Sequence, residues 1–233
     1  MRPHAVHAVI AVKSLDRAKS RLADHLRPEH RARLVLAMLS DTVTATAAVG
    51  EVASVAVVTP DPTVAEAARA LGAEVYPEPH GYPEPRAQHS SRLNTALAAT
   101  ATALRGVHGP IDLLALQADL PALRPHELSD MLACAPRGLR SIVADHAGSG
   151  TAALVVRDPI AALEPRFGPG SARNHIAAGA IGLAGNWPGL RLDVDTADDL
   201  DRAVMLGTGN ATRTVLRDIG WSGHVHEYVP PAC

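Results

Sequence analysis

The two lysines of this 233-residue chain, Lys13 and Lys19, fall in one short stretch that also carries Arg17 and Arg21. All the other residues among the 22 lysines and arginines are arginine. The stretch follows an apolar, strand-like run from Ala5 to Val12, so the cations emerge at the carboxyl end of a first strand. In open α/β sheets that edge is where ligands bind. An ammonium on a flexible stem is a mobile point charge suited to a polyphosphate, which makes Lys13, Lys19 and Arg21 candidates for holding a triphosphate.

Acidic residues answer them further along. The buried-strand pattern from Ile111 to Gln117 ends near Asp119, and Pro121 prevents its continuation, which aims Asp119 into the crevice. Leu192-Asp193-Val194-Asp195-Thr196 reads as a second strand end. Only one of Asp193 and Asp195 is expected to share the crevice with Asp119, and Asp193 is favoured. Asp199 is assigned to a capping box opened by Thr196. Magnesium is bound through one or two carboxylates plus substrate phosphates, so Asp119 and Asp193 suffice as a metal pair. Two small-residue loops, Gly148-Ser149-Gly150-Thr151 and Phe167-Gly168-Pro169-Gly170-Ser171, could bring backbone N–H groups to a second phosphate, the latter just before a helix carrying His175 and Ile176. Asn94, at the start of another helix, is assigned to the base or ribose of a nucleotide, because its amide both donates and accepts.

The elements that must position these residues alternate in type. Strands are expected at Ala5 to Val12, Val52 to Thr59, Ala73 to Tyr76, Ile111 to Gln117, Ser141 to Asp145, Thr151 to Val156 and Leu190 to Val194. A helix opened by Pro28 carries Leu34, Val35, Met38, Leu39 and Val43 on one face; a second spans Thr63 to Leu71 with Gly72 as its left-handed cap, and a third runs from Leu93 to about Leu104. This order predicts an α/β protein with a mostly parallel central sheet and helices on both faces. The proline-rich segment from Pro77 to Arg92 is expected to be a flap over the nucleotide site.

Composition excludes several classes. A formal net charge of −2, with acids and bases interspersed, provides no basic stripe for nucleic acid. No apolar run reaches membrane-spanning length, no signal-peptide pattern opens the chain, and Cys134 and Cys233 have neither zinc-type nor redox-type spacing. The expectation is a cytoplasmic protein with free thiols and small-molecule partners. A homodimer is compatible with this, although no interface is legible.

Taken in order, Ala11-Val12-Lys13 through Lys19-Ser20-Arg21-Leu22, Leu93-Asn94-Thr95-Ala96-Leu97, Ala118-Asp119-Leu120-Pro121, the Gly148 and Phe167 loops and Asp193-Val194-Asp195-Thr196 resemble the guanylyltransferases of coenzyme F-420 biosynthesis, the phosphoenolpyruvate and 2-phospho-L-lactate guanylyltransferase family. The resemblance runs from residue 5 to 219 and sets off 220–233 as a C-terminal tail. It implies a single-domain nucleotidyltransferase of the glycosyltransferase-A-like kind over residues 1–219, with GTP as co-substrate and magnesium as cofactor. The implied reaction moves GMP to a three-carbon phosphoacid and releases pyrophosphate; with phosphoenolpyruvate the product is enolpyruvoyl-2-diphospho-5'-guanosine. Thr151, Gly168 and Ser171 match the positions that hold phosphoenolpyruvate in the family, and Asp119 and Asp193 match its metal ligands. Two departures stand out: Ala118 replaces the usual glycine, where its methyl would crowd a nucleotide passing close to the backbone, and Gly170 stands where some relatives carry aspartate.

The lysine-poor, arginine- and alanine-rich usage leans, through the resemblance, towards phosphoenolpyruvate, with 2-phospho-L-lactate and 3-phosphoglycerate as alternative acceptors. A nucleotidyltransferase for sugar phosphates would usually open with a glycine-rich loop, which residues 11–22 lack. The alternative of another class is a nucleotide-binding regulatory protein without turnover. The tail carries His224 and His226, whose spacing would suit a metal but reads as a loose terminus.

Overall fold

The computed structural model describes residues 5–15, 19–79 and 89–221. Seven strands, β1 (Val6–Ala11), β2 (Val52–Val58), β3 (Glu74–Tyr76), β4 (Asp112–Leu116), β5 (Arg140–Ala144), β6 (Thr151–Val156) and β7 (Ile181–Gly182), form one sheet in the order β3-β2-β1-β4-β6-β5-β7. Every neighbouring pair is parallel except the two made by β6, which alone runs in reverse. The start of β6 therefore lies at the same sheet edge as the ends of β1 and β4, as the pairing of Leu116 with Ala153 and of Ala144 with Thr151 shows.

Alternation along β1 divides the core. Val6, Ala8 and Ile10 point to one face, where α1 (Pro28–Ala47) buries Leu34, Met38, Leu39 and Val43. Val9 points to the other, against Ala96, Leu97, Ala101 and Leu104 of α3 (His89–His108). The first face also receives α2 (Pro62–Ala70), α4 (Pro125–Cys134), α6 (Pro188–Arg191), α7 (Ala197–Leu206) and α8 (Asn210–Asp218), and α5 (Ser171–Ala177) joins the second. Each fully buried leucine contributes about 1.5–3 kcal/mol of transfer free energy, so the two layers hold the sheet edge rigidly enough to position chemistry.

Local chemistry sets the helix ends. Pro28 begins α1, where its missing N–H costs nothing. Asp61 caps α2 by accepting the N–H groups of Thr63 and Val64, and Gly72 leaves it at φ 79°. Thr196 and Asp199 form the expected capping box of α7.

The structure departs from the sequence reading in three places. The strand expected at Leu190 to Val194 does not form. Instead Glu127, a buried residue of α4, accepts the N–H groups of Gly189 at 3.0 Å and Leu190 at 2.9 Å, which starts α6. Residues 192–195 then run past Asp119 with one backbone bond, from the Val194 N–H to the Asp119 carbonyl at 3.1 Å, rather than a ladder. The sheet takes β7 as its edge strand instead. Finally, α3 begins at His89, inside the segment read as a flap; residues 80–88 of that segment lie outside the described ones. His224, His226 and Cys233 also lie outside them, while Cys134 is an exposed free thiol. No described helix is long and apolar enough to cross a membrane.

Candidate active site

The carboxyl ends of β1 and β4 bring the early lysines and the late aspartates together. Lys19, buried to 9% side-chain exposure, places its ammonium on Asp119 Oδ2 and 3.0 Å from Asp195 Oδ1. Its backbone adopts φ 51° and ψ 47°, a left-handed conformation uncommon outside glycine, at the head of a short 3-10 turn over Ser20–Leu22. Such a conformation persists where surroundings over-determine it, and here two ion pairs do so. Burial works against the Lys19 charge, but Asp119 and Asp195 hold its pKa above that of an ordinary lysine, so it stays protonated. Asp195 is likewise opposed by burial and held below the usual carboxylate range by Lys19, Arg21 and Lys13. Arg21 approaches Asp195 at 3.6 Å from a largely exposed position.

Asp193 has no such compensation. Burial pushes its carboxyl up to about 7, and the negative charges of Asp119, Asp195 and Asp145 add to the effect. The His146 ring lies beside it, with Nδ1 3.8 Å away and Nε2 3.3 Å from Asp199. Both Asp193 and Asp195 thus face Asp119, which corrects the expectation that only one of them would. Residues two apart in an extended segment share a side, and Val194 between them points into the core.

Asp119 is held from behind. The hydroxyl of Thr42, fully buried on α1, accepts the Leu120 N–H at 3.1 Å and lies 3.3 Å from the Ala118 carbonyl and 2.9 Å from that of Met38. One side chain thereby braces the peptide groups on both sides of Asp119. The Ala118 methyl packs against the core.

The two small-residue loops meet at the reversed strand. Asp145 accepts the N–H groups of Ser149 at 3.0 Å and Gly150 at 2.9 Å, so these amides serve the β5–β6 turn rather than standing open to an anion. A Cβ at Gly150 would collide with that carboxylate. The Ser149 carbonyl in turn accepts the Ala172 N–H at 3.2 Å, tying the turn to α5. Buried His175 completes the joint. Its Nε2 accepts the Arg166 N–H at 2.9 Å, which places the ring proton on Nδ1, 2.9 Å from the Ser171 carbonyl and 3.1 Å from Thr151 Oγ1. Burial lowers the His175 pKa to about 4, so the ring is neutral. Gly168 and Gly170 take φ values of 128° and 67° in the turn that delivers Ser171, whose own N–H goes to the Gly168 carbonyl at 3.1 Å.

A cavity of about 860 Å³ opens beside the lysine loop, lined among others by Val12, Lys13, Ser14, Val58, Glu78 and Leu93. Among the described residues no set of three or more His, Cys, Asp or Glu could encage a metal ion. The donor set does fit a divalent cation shared with a substrate: two half-buried carboxylates, one of them driven towards neutrality by burial and by the charges of its neighbours, would be relieved by such an ion.

Comparison with known proteins places the chain in a family. The family model for guanylyl transferases of the CofC-like kind matches residues 6–229. The chain belongs to that family. It is 66% identical to a phosphoenolpyruvate guanylyltransferase of Nocardia farcinica, over all of both chains. It is 50% identical to one of Rhodococcus opacus, over 94% of this chain and 93% of the other. Among solved structures, a nucleotidyl transferase from Methanothermobacter superposes with a TM-score of 0.57 at 19% identity, over 92% of this chain and 99% of that one. A 4-diphosphocytidyl-2C-methyl-D-erythritol synthase superposes with a TM-score of 0.55 at 13% identity, over 87% and 99%. This CofC-like chain has the glycosyltransferase-A-like nucleotidyltransferase fold and is a nucleotidyltransferase.

Within that family frame, the residues singled out from sequence separate into three groups. Lys13 lines the cavity, while Lys19, Arg21, Asp119 and Asp193 form one cluster with Asp195. Thr151 and Ser171 meet at His175, and Gly168 accepts the Ser171 N–H. Asn94 goes elsewhere: its Nδ2 donates to the Phe167 carbonyl at 3.0 Å and its Oδ1 accepts the Phe167 N–H at 2.8 Å, so both ends of the amide hold the loop rather than a base or ribose. Sequence reasoning missed Thr42, Asp145 and His175 as supports. It also missed Asp61, whose second carboxylate oxygen accepts the Leu15 N–H at 2.9 Å and anchors the lysine loop to the cap of α2. A threonine in mid-helix has no sequence signature, whereas Asp145, four and five residues before two small residues, has the spacing of a turn cap.

Proposed function

We propose that the chain transfers GMP from GTP to phosphoenolpyruvate, giving enolpyruvoyl-2-diphospho-5'-guanosine and pyrophosphate, as a step of coenzyme F-420 biosynthesis. The observation that carries this reading is the cluster of Lys19, Asp119, Asp193 and Asp195 beside a cavity that Lys13 enters. The acceptor is supported by the relatives named phosphoenolpyruvate guanylyltransferase.

The chemistry follows from charge. The acceptor phosphate is largely a dianion at neutral pH and attacks the α-phosphorus of GTP without a general base. A bond forms between an acceptor phosphate oxygen and the α-phosphorus, and the bond from that phosphorus to the bridging oxygen of pyrophosphate breaks. The protein must align two anions that repel each other and neutralise the charge gathering on the leaving group. Lys13 and Arg21, the exposed cations, serve the triphosphate. Lys19 acts through the carboxylates, fixing Asp119 and Asp195. Asp119 and Asp193 would hold magnesium, which supplies electrostatic stabilisation of phosphate charge when bound. Thr151, Gly168 and Ser171 hold the acceptor, kept in place by His175 and by the amide of Asn94.

Pyrophosphate release, measured with GTP, magnesium and in parallel phosphoenolpyruvate, 2-phospho-L-lactate or 3-phosphoglycerate, tests this. Turnover is expected to be fastest with phosphoenolpyruvate and to fall at least ~100-fold in Asp119→Asn, the loss typical of one electrostatic stabiliser. Full activity in that variant would remove Asp119 from the metal pair, and faster turnover with another phosphoacid would reassign the acceptor.

A further inference from the structure

We infer that Glu78 selects guanine in the nucleotide cavity, an assignment that rests on GTP being the donor. The cavity of about 860 Å³ has two chemically different ends. Lys13, Ser14 and Ser20 border it at the end of β1, where phosphates belong. Ala11, Val58, Pro60, Leu93 and Ala96 give it apolar walls of the kind that accept the flat face of a purine. Glu78, just beyond the end of β3, is the only carboxylate among the described residues that line it.

Sheet register separates the two ends. Ala11 pairs with Val58, and Val58 pairs with Tyr76, so Glu78 stands two strands, roughly 10 Å, from the lysine loop. A nucleoside fits between them. A carboxylate beside a polyanion is unfavourable unless its oxygens meet donors, which Arg92 in the same lining and the edge of a base can supply. Guanine is the one common base whose Watson–Crick edge offers two adjacent donors, N1–H and N2–H, and a carboxylate accepts two parallel N–H bonds as it does from arginine. Adenine and cytosine would each turn a ring-nitrogen lone pair towards Glu78, and uracil would present carbonyls on both sides of its single N–H. The carboxylate therefore attracts guanine and repels the others.

Inosine triphosphate, which lacks only the 2-amino group, isolates this contact. The wild-type protein is expected to favour GTP over ITP in kcat/KM by roughly 10- to 100-fold, the discrimination a bidentate base contact supplies. In Glu78→Gln and Glu78→Ala that ratio should collapse towards one, with the loss falling on KM for the nucleotide. Equilibrium binding of GDP against IDP provides the same ratio without turnover. A protein that turns over GTP but keeps its GTP-to-ITP ratio in both variants overturns the role of Glu78 alone. A wild-type protein that uses no guanine nucleotide overturns the proposed function with it.

Discussion

Lys19 and Thr42 act on the same aspartate from opposite sides, and their removal should have different signatures. Lys19→Met leaves Asp119, Asp193 and Asp195 without their buried cation. Removing one partner of a fully buried pair costs 3–5 kcal/mol, and the half-exposure of Asp195 reduces this to about 2 kcal/mol. Melting with and without magnesium should show a lower Tm that the metal restores by more than it raises the wild type. An equal magnesium effect on both proteins would deny that the three carboxylates act as a cluster. Thr42→Val keeps the shape but leaves the Leu120 N–H buried without a partner, which costs about 1–3 kcal/mol. It should lower kcat more than either KM, because Asp119 loses its placement rather than its charge. Thr42→Ser keeps the hydroxyl and should recover most of the rate.

Among the elements, α3 and the β5–β6 turn do more than cover the sheet. Asn94 at the front of α3 grips the Phe167 backbone twice, and that loop delivers Gly168 and Ser171. Asn94→Ala should therefore raise the apparent KM for the phosphoacid while leaving that for GTP nearly unchanged, as initial-rate kinetics over both substrates would establish. The opposite split would return Asn94 to the base or ribose. Much of the sheet was legible in the sequence, because β4 and β6 carry unbroken apolar runs, Leu113 to Leu116 and Ala152 to Val156, and α2 has its aspartate and glycine ends. The segment at 190–194 misled because its alternation of leucine, valine and aspartate is strand-like, while Glu127, far away in the chain, supplies the bonds that start a helix there. Asp119 was readable just past a strand end, before Pro121, and Asp193 beside a capping box, although the strand assigned to it does not form. Of the supports, Thr42 was not legible, since it reaches Ala118 and Leu120 from 76 and 78 positions away, whereas Asp145 acts on nearby Ser149 and Gly150 with the spacing of a turn cap.

For the whole molecule, histidines kept neutral inside the fold weaken it towards acid. His175 has a pKa of about 4 against 6.5 when unperturbed, so between those values the unfolded chain binds more protons than the folded one. The stability it contributes is complete above pH 6.5 and is lost as pH falls towards 4, amounting to about 3 kcal/mol over that window. His7, buried at the start of β1 and stacked 4.4 Å from the ring of His108, also has its pKa lowered, by burial first and His108 second, and adds in the same direction. Asp193, its carboxyl pushed up to about 7, works in the opposite sense over the same window, so the histidine contribution is read as a difference: between pH 7 and 4.5 the denaturation midpoint of the wild type should drop relative to that of His175→Gln. The link between Lys19 and Asp195 spans 176 positions of sequence. Every strand among the described residues precedes Asp193 and Asp195, so a ribosome lays down all seven before the last carboxylates of the site are made. Competence for phosphate chemistry is then among the last properties the growing chain acquires, and a product truncated before residue 193 would keep its strands while lacking the pair of aspartates that faces Asp119.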